Sequence, residues 1–423
     1  MQTFFNKIKL MWTDRVLRKK VLFVLFALVV FRMLSTIPIP GIDSLALQRF
    51  LSNNQFFGIL NIFSGGGLSN LSIIMLGVGP YITGSIIMQL LTIMVPSLKK
   101  IYHEEGEAGR KRFTQYSRLL TVPLAAVQGF ALLSLLEKQG ILLEITSFDR
   151  ILNLLIVVAG AILTMWIGEL ISEFGIGNGV SIIIFAGIVS RLPVQISEMI
   201  FTFDPSQIPM LVGFAVAGVL TIAAIVTITE AERPIPVTYA KRVRGMKVYG
   251  GGSTYLPLRV NQAGVIPIIF ALSILLFPQM IGTVLTRFTH PFLVKVSDVL
   301  LSFSQTSVLY AVLYFFLVFL FTYFYTAVTF DPESISTNLQ KNGGFIPGIR
   351  PGMSTAEYIS KVLTRITLVG ATFLGVIAVL PIIMQHVTGI ASLALGGTSI
   401  LIVVSVVLDL IKKIDAQVSM REY

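Results

Sequence analysis

The 423-residue chain contains no cysteine, so disulfides, thiolate metal sites and a thiol nucleophile are excluded together. Charge is scarce as well: 13% of residues are Asp, Glu, Lys or Arg, well under the share of about 25% in an ordinary soluble domain. The three histidines, His103, His290 and His386, lie far apart and near loops, which argues against a histidine metal cluster. No lysine directly follows a glycine, so the chain has no phosphate-cradling Walker loop and is not itself a nucleotide-driven motor. The run "HEEGE" at 103–107 puts Glu107 where the helical zinc-protease pattern needs its second histidine. The sequence thus offers no catalytic residue, no metal site and no cofactor.

What it has in quantity is apolar sequence. Apolar residues make up 54% of the chain and mean hydropathy is +0.84, which predicts an all-α polytopic membrane protein. A spanning helix needs about 20 mostly apolar residues, and ten stretches qualify, two of them short or interrupted: 16–37, 71–95, 119–137, 151–170, 178–196, 210–229, 263–283, 306–329, 362–383 and 391–411. The first follows a basic head, as a signal peptide does, but no small-residue cleavage site follows, so it is expected to stay as the first helix. If loops alternate sides, one side collects 25 of the 32 Lys and Arg residues. The positive-inside rule then places both termini in the cytoplasm, and most of the +11 net charge needs no nucleic-acid partner to explain it.

The stretch "MIFTFDPSQIP" near the chain's midpoint separates two sets of five spans. Expected boundaries are an N-terminal half (1–196), an external hinge (197–209) and a C-terminal half (210–423). An odd number of spans per half forces opposite insertion, so two such halves can be related only as inverted-topology repeats. A weak echo agrees: Val78, Pro80 and Ile82 in the second span match Val265, Pro267 and Ile269 in the seventh. Proline inside a span frees a carbonyl and kinks the helix, and paired broken helices point to a functional centre; ordinary packing explains such prolines equally well. Two long cytoplasmic loops, 230–264 and 331–361, are basic and glycine-punctuated. The first has the β-branched and aromatic content of a hairpin, and loops of this length commonly carry function; inert solvated loops are the alternative.

Arg32, Glu169, Glu173, Arg191 and Glu230 all fall near span ends, whereas a coupled transporter normally needs ionisable groups within its spans. A centre lined by Val and Ile instead makes a constriction that stops ions by dewetting. A gated pore fits better than a secondary transporter of a small solute, which remains the alternative reading.

Five motifs, "GVGPYITGSIIMQLL", "GIGNGVSIIIFAGIV", "PVTYAKRVRG…STYLPLRVNQAGVIP", "GGFIPGIRPG" and "GGTSILIVVSVVLD", occur in order along nearly the whole chain. They resemble the SecY/Sec61-alpha family, the central subunit of the Sec protein-conducting channel; the tail beyond Asp409 is shorter than the family's. The resemblance implies a clamshell of two halves in the bacterial cytoplasmic membrane. Its pore ring falls on Val78, Ile82, Ile184, Ile269 and Ile402, with Val180 as a further member. Spacing alone reads the i, i+4 pairs Val78/Ile82 and Val180/Ile184 as ordinary core. Its plug falls on "FSGGGLSN", that is Phe63, Ser64, Gly65, Gly66, Gly67, Leu68, Ser69 and Asn70, which spacing reads as a turn. Three consecutive glycines are expected where backbone must bend, move or lie close to something. The resemblance also implies a lateral gate at Thr83, Gln89 and Phe277, and docking through Arg242, Arg244, Lys247 and Arg350. Implied partners are SecE and SecG subunits, the SecA motor ATPase, the ribosome, signal peptides, nascent or preprotein chains, and membrane lipids.

Overall fold

The computed structural model describes residues 13–41, 61, 64–103, 105–142, 146–190, 192–193, 197, 208–239, 242–244, 247–249, 252–285, 290–301, 308–388 and 391–419. Helix α1 (Arg15–Leu34) starts where the Asp14 carboxylate accepts the Val16 N–H at 2.8 Å. Helix α2 (Gly79–Met94) is followed by the amphipathic α3 (Pro96–His103) and the long α4 (Gly106–Lys138). A reciprocal Thr146–Asp149 capping box opens α5 (Ser147–Phe174), which satisfies two otherwise orphaned N–H donors. Then come α6 (Gly179–Val189) and α7 (Ile208–Glu230). In the second part, α8 (Ile266–Leu285), α9 (Pro291–Leu301), α10 (Val308–Thr329), α11 (Pro332–Lys341), α12 (Met353–Thr388) and α13 (Ala391–Ser419) follow.

Each apolar stretch predicted to span is helical over most of its described length. By length and hydropathy alone, α4, α5, α10 run together with α11, and α12 could each cross a membrane, and α2 with α3 makes a fifth if that pair, bent by 111°, counts as one. Several helices overrun their apolar windows: α4 begins at Gly106, α12 at Met353, and α13 continues to Ser419. Hydropathy marks only the greasy part of a helix, while the backbone ladder continues through polar turns. Of the expected hinge, residues 198–207 lie outside the described residues.

Two expectations change. Leu71–Val78 is a chain of turns and not the start of a span. The prolines of the internal echo do not kink helix interiors: Pro80 and Pro267 both stand in the first turn, of α2 and α8, where a missing N–H costs nothing. Ile82 N–H donates to the Val78 carbonyl at 3.0 Å, and Ile269 N–H to the Val265 carbonyl at 3.3 Å. The echo therefore marks two similarly built helix starts.

The helices carry the architecture, but the chain is not purely α. Strands β1 (Glu232–Tyr239) and β4 (Ser253–Arg259) pair antiparallel, and β5 (Gly344–Phe345), from the other long loop, joins the far edge of β1 through Thr238 and Tyr239. Pro234 and Pro236 lie where β1 has a neighbour on one side only, the setting in which a strand tolerates a residue without an N–H. Ile235, Val237 and Leu258 from the first loop pack with Ile346 and Ile359 from the second. The two loops form one body with its own apolar core and are not separate solvated loops. Between β1 and β4, β2 (Arg242–Arg244) and β3 (Lys247–Tyr249) make a separate hairpin.

Glycine sets the closest helix contacts. A Cβ added at Gly160 of α5 would collide with the Ile73 carbonyl, whereas one at Gly218 of α7 would meet nothing within 4 Å. Backbone cannot yield as a flexible side chain can, so Gly160→Ala is expected to destabilise by about 1–3 kcal/mol, and Gly218→Ala to leave stability unchanged or raise it slightly. Thermal unfolding of the two variants in detergent checks the difference.

Candidate functional site

α6 doubles back onto α5 through "GIGNG". Asn178 caps α6 by accepting the Ser181 N–H at 3.2 Å, Gly177 has φ +96°, and the Gly179 N–H donates to Ser172 Oγ at 2.8 Å. A Cβ on Gly179 would collide with the Gly168 carbonyl. Only glycine permits this return, and it aims the next residues, Val180 and Ile184, inward.

The largest apolar cluster gathers residues from both parts of the chain. Val78 and Ile82 reach it from the start of α2, Ile184 from α6, Ile269 from the start of α8 and Ile402 from α13; all five are buried, and Val180 packs against them half-buried. All six positions of the expected ring thus fall in one cluster. The helices meet across the molecule: α2 and α4 each contact α8, and α6 contacts α13.

The glycine triplet sits on this cluster. The residues from Ser64 to Leu68 are buried, Ser69 is half-buried and Asn70 exposed; Phe63 lies outside the described residues. Gly65 and Gly66 have φ +65° and +91°, values that side chains rarely adopt. A Cβ on Gly65 would run into the Phe31 ring of α1, and one on Gly187 of α6 would run into the Gly65 backbone. The triplet serves two ends at once, a left-handed turn and direct backbone contact with a helix. Leu71, which follows, is the one non-glycine with positive φ (+42°) among the described residues; it is fully buried with Ile39, Leu68, Met75 and Leu136, and that packing offsets its strain.

Asn61, two residues before the quoted run, organises the segment's polar groups. Its Oδ1 accepts the Ser69 N–H at 3.0 Å and the Ser64 hydroxyl at 3.2 Å, its Nδ2 donates to Ser69 Oγ at 2.6 Å, and its carbonyl accepts the Gly66 N–H at 2.9 Å. Ser64 Oγ in turn accepts the Leu68 N–H at 3.0 Å. The segment is also tied to the end of α1, where Asn70 Nδ2 donates to the Ser35 carbonyl at 3.3 Å and Ile73 N–H to the Ile37 carbonyl at 2.9 Å. Asn61 and Gly187 were both missed by sequence reasoning. An asparagine eight residues from a serine carries no local signature, and Gly187 reads as one more small residue in a helix.

Of the expected gate positions, Thr83 is buried on α2, donating to the Gly79 carbonyl at 3.0 Å and accepting from Gln128 Nε2 of α4 at 3.4 Å. The Gln89 carbonyl accepts the Thr92 hydroxyl at 2.6 Å, and its buried Oε1 has no partner among the described residues. Phe277 lies on α8 with its side chain outside the described residues. Arg350 is exposed between Gly348 and Gly352, both with positive φ, and its carbonyl accepts the Thr355 hydroxyl at 2.9 Å. Arg242 lies on β2, and Arg244 of β2 stands opposite Lys247 of β3; the side chains of that hairpin lie outside the described residues. No group of acidic and histidine residues among the described residues is placed to hold a metal.

The sequence profile of the SecY family matches residues 72–411. The chain belongs to the SecY family. The protein translocase subunit SecY of Mycobacterium bovis is 40% identical over 96% of both chains. That of Corynebacterium glutamicum is 42% identical over 97% of both, and that of Thermotoga maritima 42% identical over 96% of this chain and 94% of its own. Two solved structures share the fold, each covering 95% of this SecY-family chain and 92% of its own. One, described by the statement that the plug domain of SecY stabilises the closed state of the translocation channel and maintains a membrane seal, gives a TM-score of 0.68 at 19% identity. The other, Sec61 in the canine ribosome–channel complex, gives 0.63 at 17%.

Replacing Asn61 by Leu keeps the branched shape and removes the acceptor of the half-buried Ser69 amide, a loss of about 0.5–1.5 kcal/mol. Asn61→Leu is expected to speed hydrogen exchange at Ser69 while the amides of α5 keep their protection, as mass spectrometry on peptides covering both would show.

Proposed function

We propose that this SecY-family chain is a protein-conducting channel, not an enzyme, which passes unfolded secretory polypeptides across the cytoplasmic membrane and releases apolar segments sideways into lipid. The observation that carries this reading is the convergence of Val78, Ile82, Ile184, Ile269 and Ile402 on one buried apolar cluster fed by helices from both halves. Ten spans in two inverted halves of five, joined at 197–209 with both termini cytoplasmic, give such a waist its surroundings, and the matching starts of α2 and α8 support the repeat.

Branched aliphatic side chains do two things at a waist. They deny a hydrated ion the polar partners it would need after losing water, and they give a passing chain no hydrogen bonds on which to stall. The segment from Phe63 to Asn70 acts as the plug over that waist. Its seat combines backbone contact with a polar network that is largely internal, so it can leave as a unit while keeping most of its own hydrogen bonds.

The lateral gate is the seam where α2 and α4 meet α8, with Thr83, Gln89 and Phe277 lining it. Once it parts, lipid sorts the passing chain: a Leu gains about 0.5 kcal/mol at the membrane centre while Asp or Lys costs about 3. A segment of some 20 apolar residues therefore leaves sideways, and a polar one continues outward.

The joined loops form the docking body on the cytoplasmic face, using Arg350 and the hairpin residues Arg242, Arg244 and Lys247. Opposed like charges such as Arg244 and Lys247 weaken a hairpin on their own and become favourable against carboxylates or phosphates. This fits the SecA motor and the ribosome, which supply the work that a chain without a nucleotide site cannot. SecE and SecG complete the membrane complex.

A photo-crosslinking residue at Ile82 or Ile184 is expected to label a stalled secretory chain, and Asn at both positions to raise ion leak through the resting channel several-fold. Absence of label and unchanged leak together would remove the channel reading. Ion-coupled uptake of a small solute by the purified protein in vesicles would install the transporter reading instead.

A further inference from the structure

The far end of α13 holds a second connection between the two halves. Leu17 of α1 and Ile176, in the turn between α5 and α6, are buried with Val418 of α13, and Leu410 and Ile414 pack on the same small cluster. A Cβ on Gly177, with φ +96°, would stand 2.9 Å from Leu410 Cδ2, so only glycine leaves that leucine its place. Leu17, Ile176 and Gly177 belong to the N-terminal half; Leu410, Ile414 and Val418 belong to the C-terminal half. The other flank of α13 is tied to its own half, where Lys412 Nζ meets Glu230 Oε1 at the end of α7 at 2.9 Å.

The same helix carries Ile402 of the waist. Ile402, Val406, Leu410, Ile414 and Val418 follow one another at intervals of four, a row that winds slowly round a helix. The row turns from the main cluster, which holds Ile402 and Val406, to the small one. About 24 Å of continuous helix joins its two ends, and a helix of that length without interior proline transmits displacement instead of absorbing it.

We propose that this contact is a cytoplasmic clasp: docking of the end of α13 on Leu17, Ile176 and Gly177 holds the two halves together and keeps Ile402 in the closed waist. Widening of the waist requires the clasp to slide or open. The inference rests on the channel reading above, and its test keeps the two apart.

Because the chain has no native cysteine, a Leu17→Cys/Val418→Cys pair gives a single defined bridge. The purified channel complex in vesicles, with its motor and a secretory preprotein, is assayed before bridging by a short bismaleimide, after bridging, and alongside a Glu137→Cys/Arg150→Cys pair that joins α4 to α5 within one half. The unbridged pair is expected to translocate as the parent does, the clasp bridge to lower translocation several-fold, and the control bridge to leave it unchanged. Full translocation through a bridged clasp would overturn the proposal while leaving the channel reading in place; a parent that translocates nothing would remove the channel reading itself. If neither the reagent nor oxidation to a direct disulfide joins the pair, the two positions are not packed together, and the proposal is overturned. Conversely, Ile414→Ser/Val418→Ser is expected to raise resting ion conductance several-fold. A contact that is merely structural would lower thermal stability without changing conductance, and that result would count against the clasp.

Discussion

Main chains brought into contact through glycine are the constraint on which the rest of this structure depends. Gly179 against Gly168 lets α6 fold back along α5, and Gly65 against Gly187 seats the glycine-triplet segment directly on α6. Any side chain at these points would push backbone away from backbone. The apolar cluster would then be set wider, and the segment above it would lose its seat. The branched aliphatics supply the chemistry of a barrier, but glycine sets the distances at which they meet.

Burial and polarity are divided accordingly. In the main cluster, apolar side chains face one another, while the glycine-triplet segment satisfies its own amides through Asn61, Ser64 and Ser69. A buried loop is tolerable only if its backbone donors find partners, and here they find them largely within the loop. The described part of the segment is therefore held largely by its own hydrogen bonds, with a few ties to the end of α1. The ion pairs among the described residues lie outside the main cluster: Arg118 with Glu169 between α4 and α5, Arg150 with Glu137, and Lys412 with Glu230. Their placement leaves the central cluster free of fixed charge to which an ion could be drawn.

The body formed by the two long loops adds a mechanical link. Its sheet passes from β4 through Val260 into the first turn of α8 within a few residues, and Gly370 of α12 presses on the Val260 carbonyl with only 2.5 Å available to a Cβ. A load on this body therefore acts on the foot of a helix that carries Ile269 and contacts α2 and α4.

Membrane class, the rough position of the apolar stretches and membership of the SecY family were legible in the chain, because hydropathy and motif order are properties of consecutive residues. Pro80 and Pro267 were legible as an echo, but whether they kink a helix or stand at its start was not, since hydropathy does not reveal where a helix begins. Asn61, Gly187, the sheet shared by two loops a hundred residues apart, and the meeting of Leu17 with Val418 were not legible. Each depends on a partner distant in sequence, and an asparagine, a glycine, a two-residue strand or a leucine looks ordinary until that partner is in place. The sequence alone determined what the chain is made to sit in and which segments are oily enough to form a barrier; tertiary structure decided which of those segments touch, because contact at glycine depends on how two backbones approach and not on either stretch by itself.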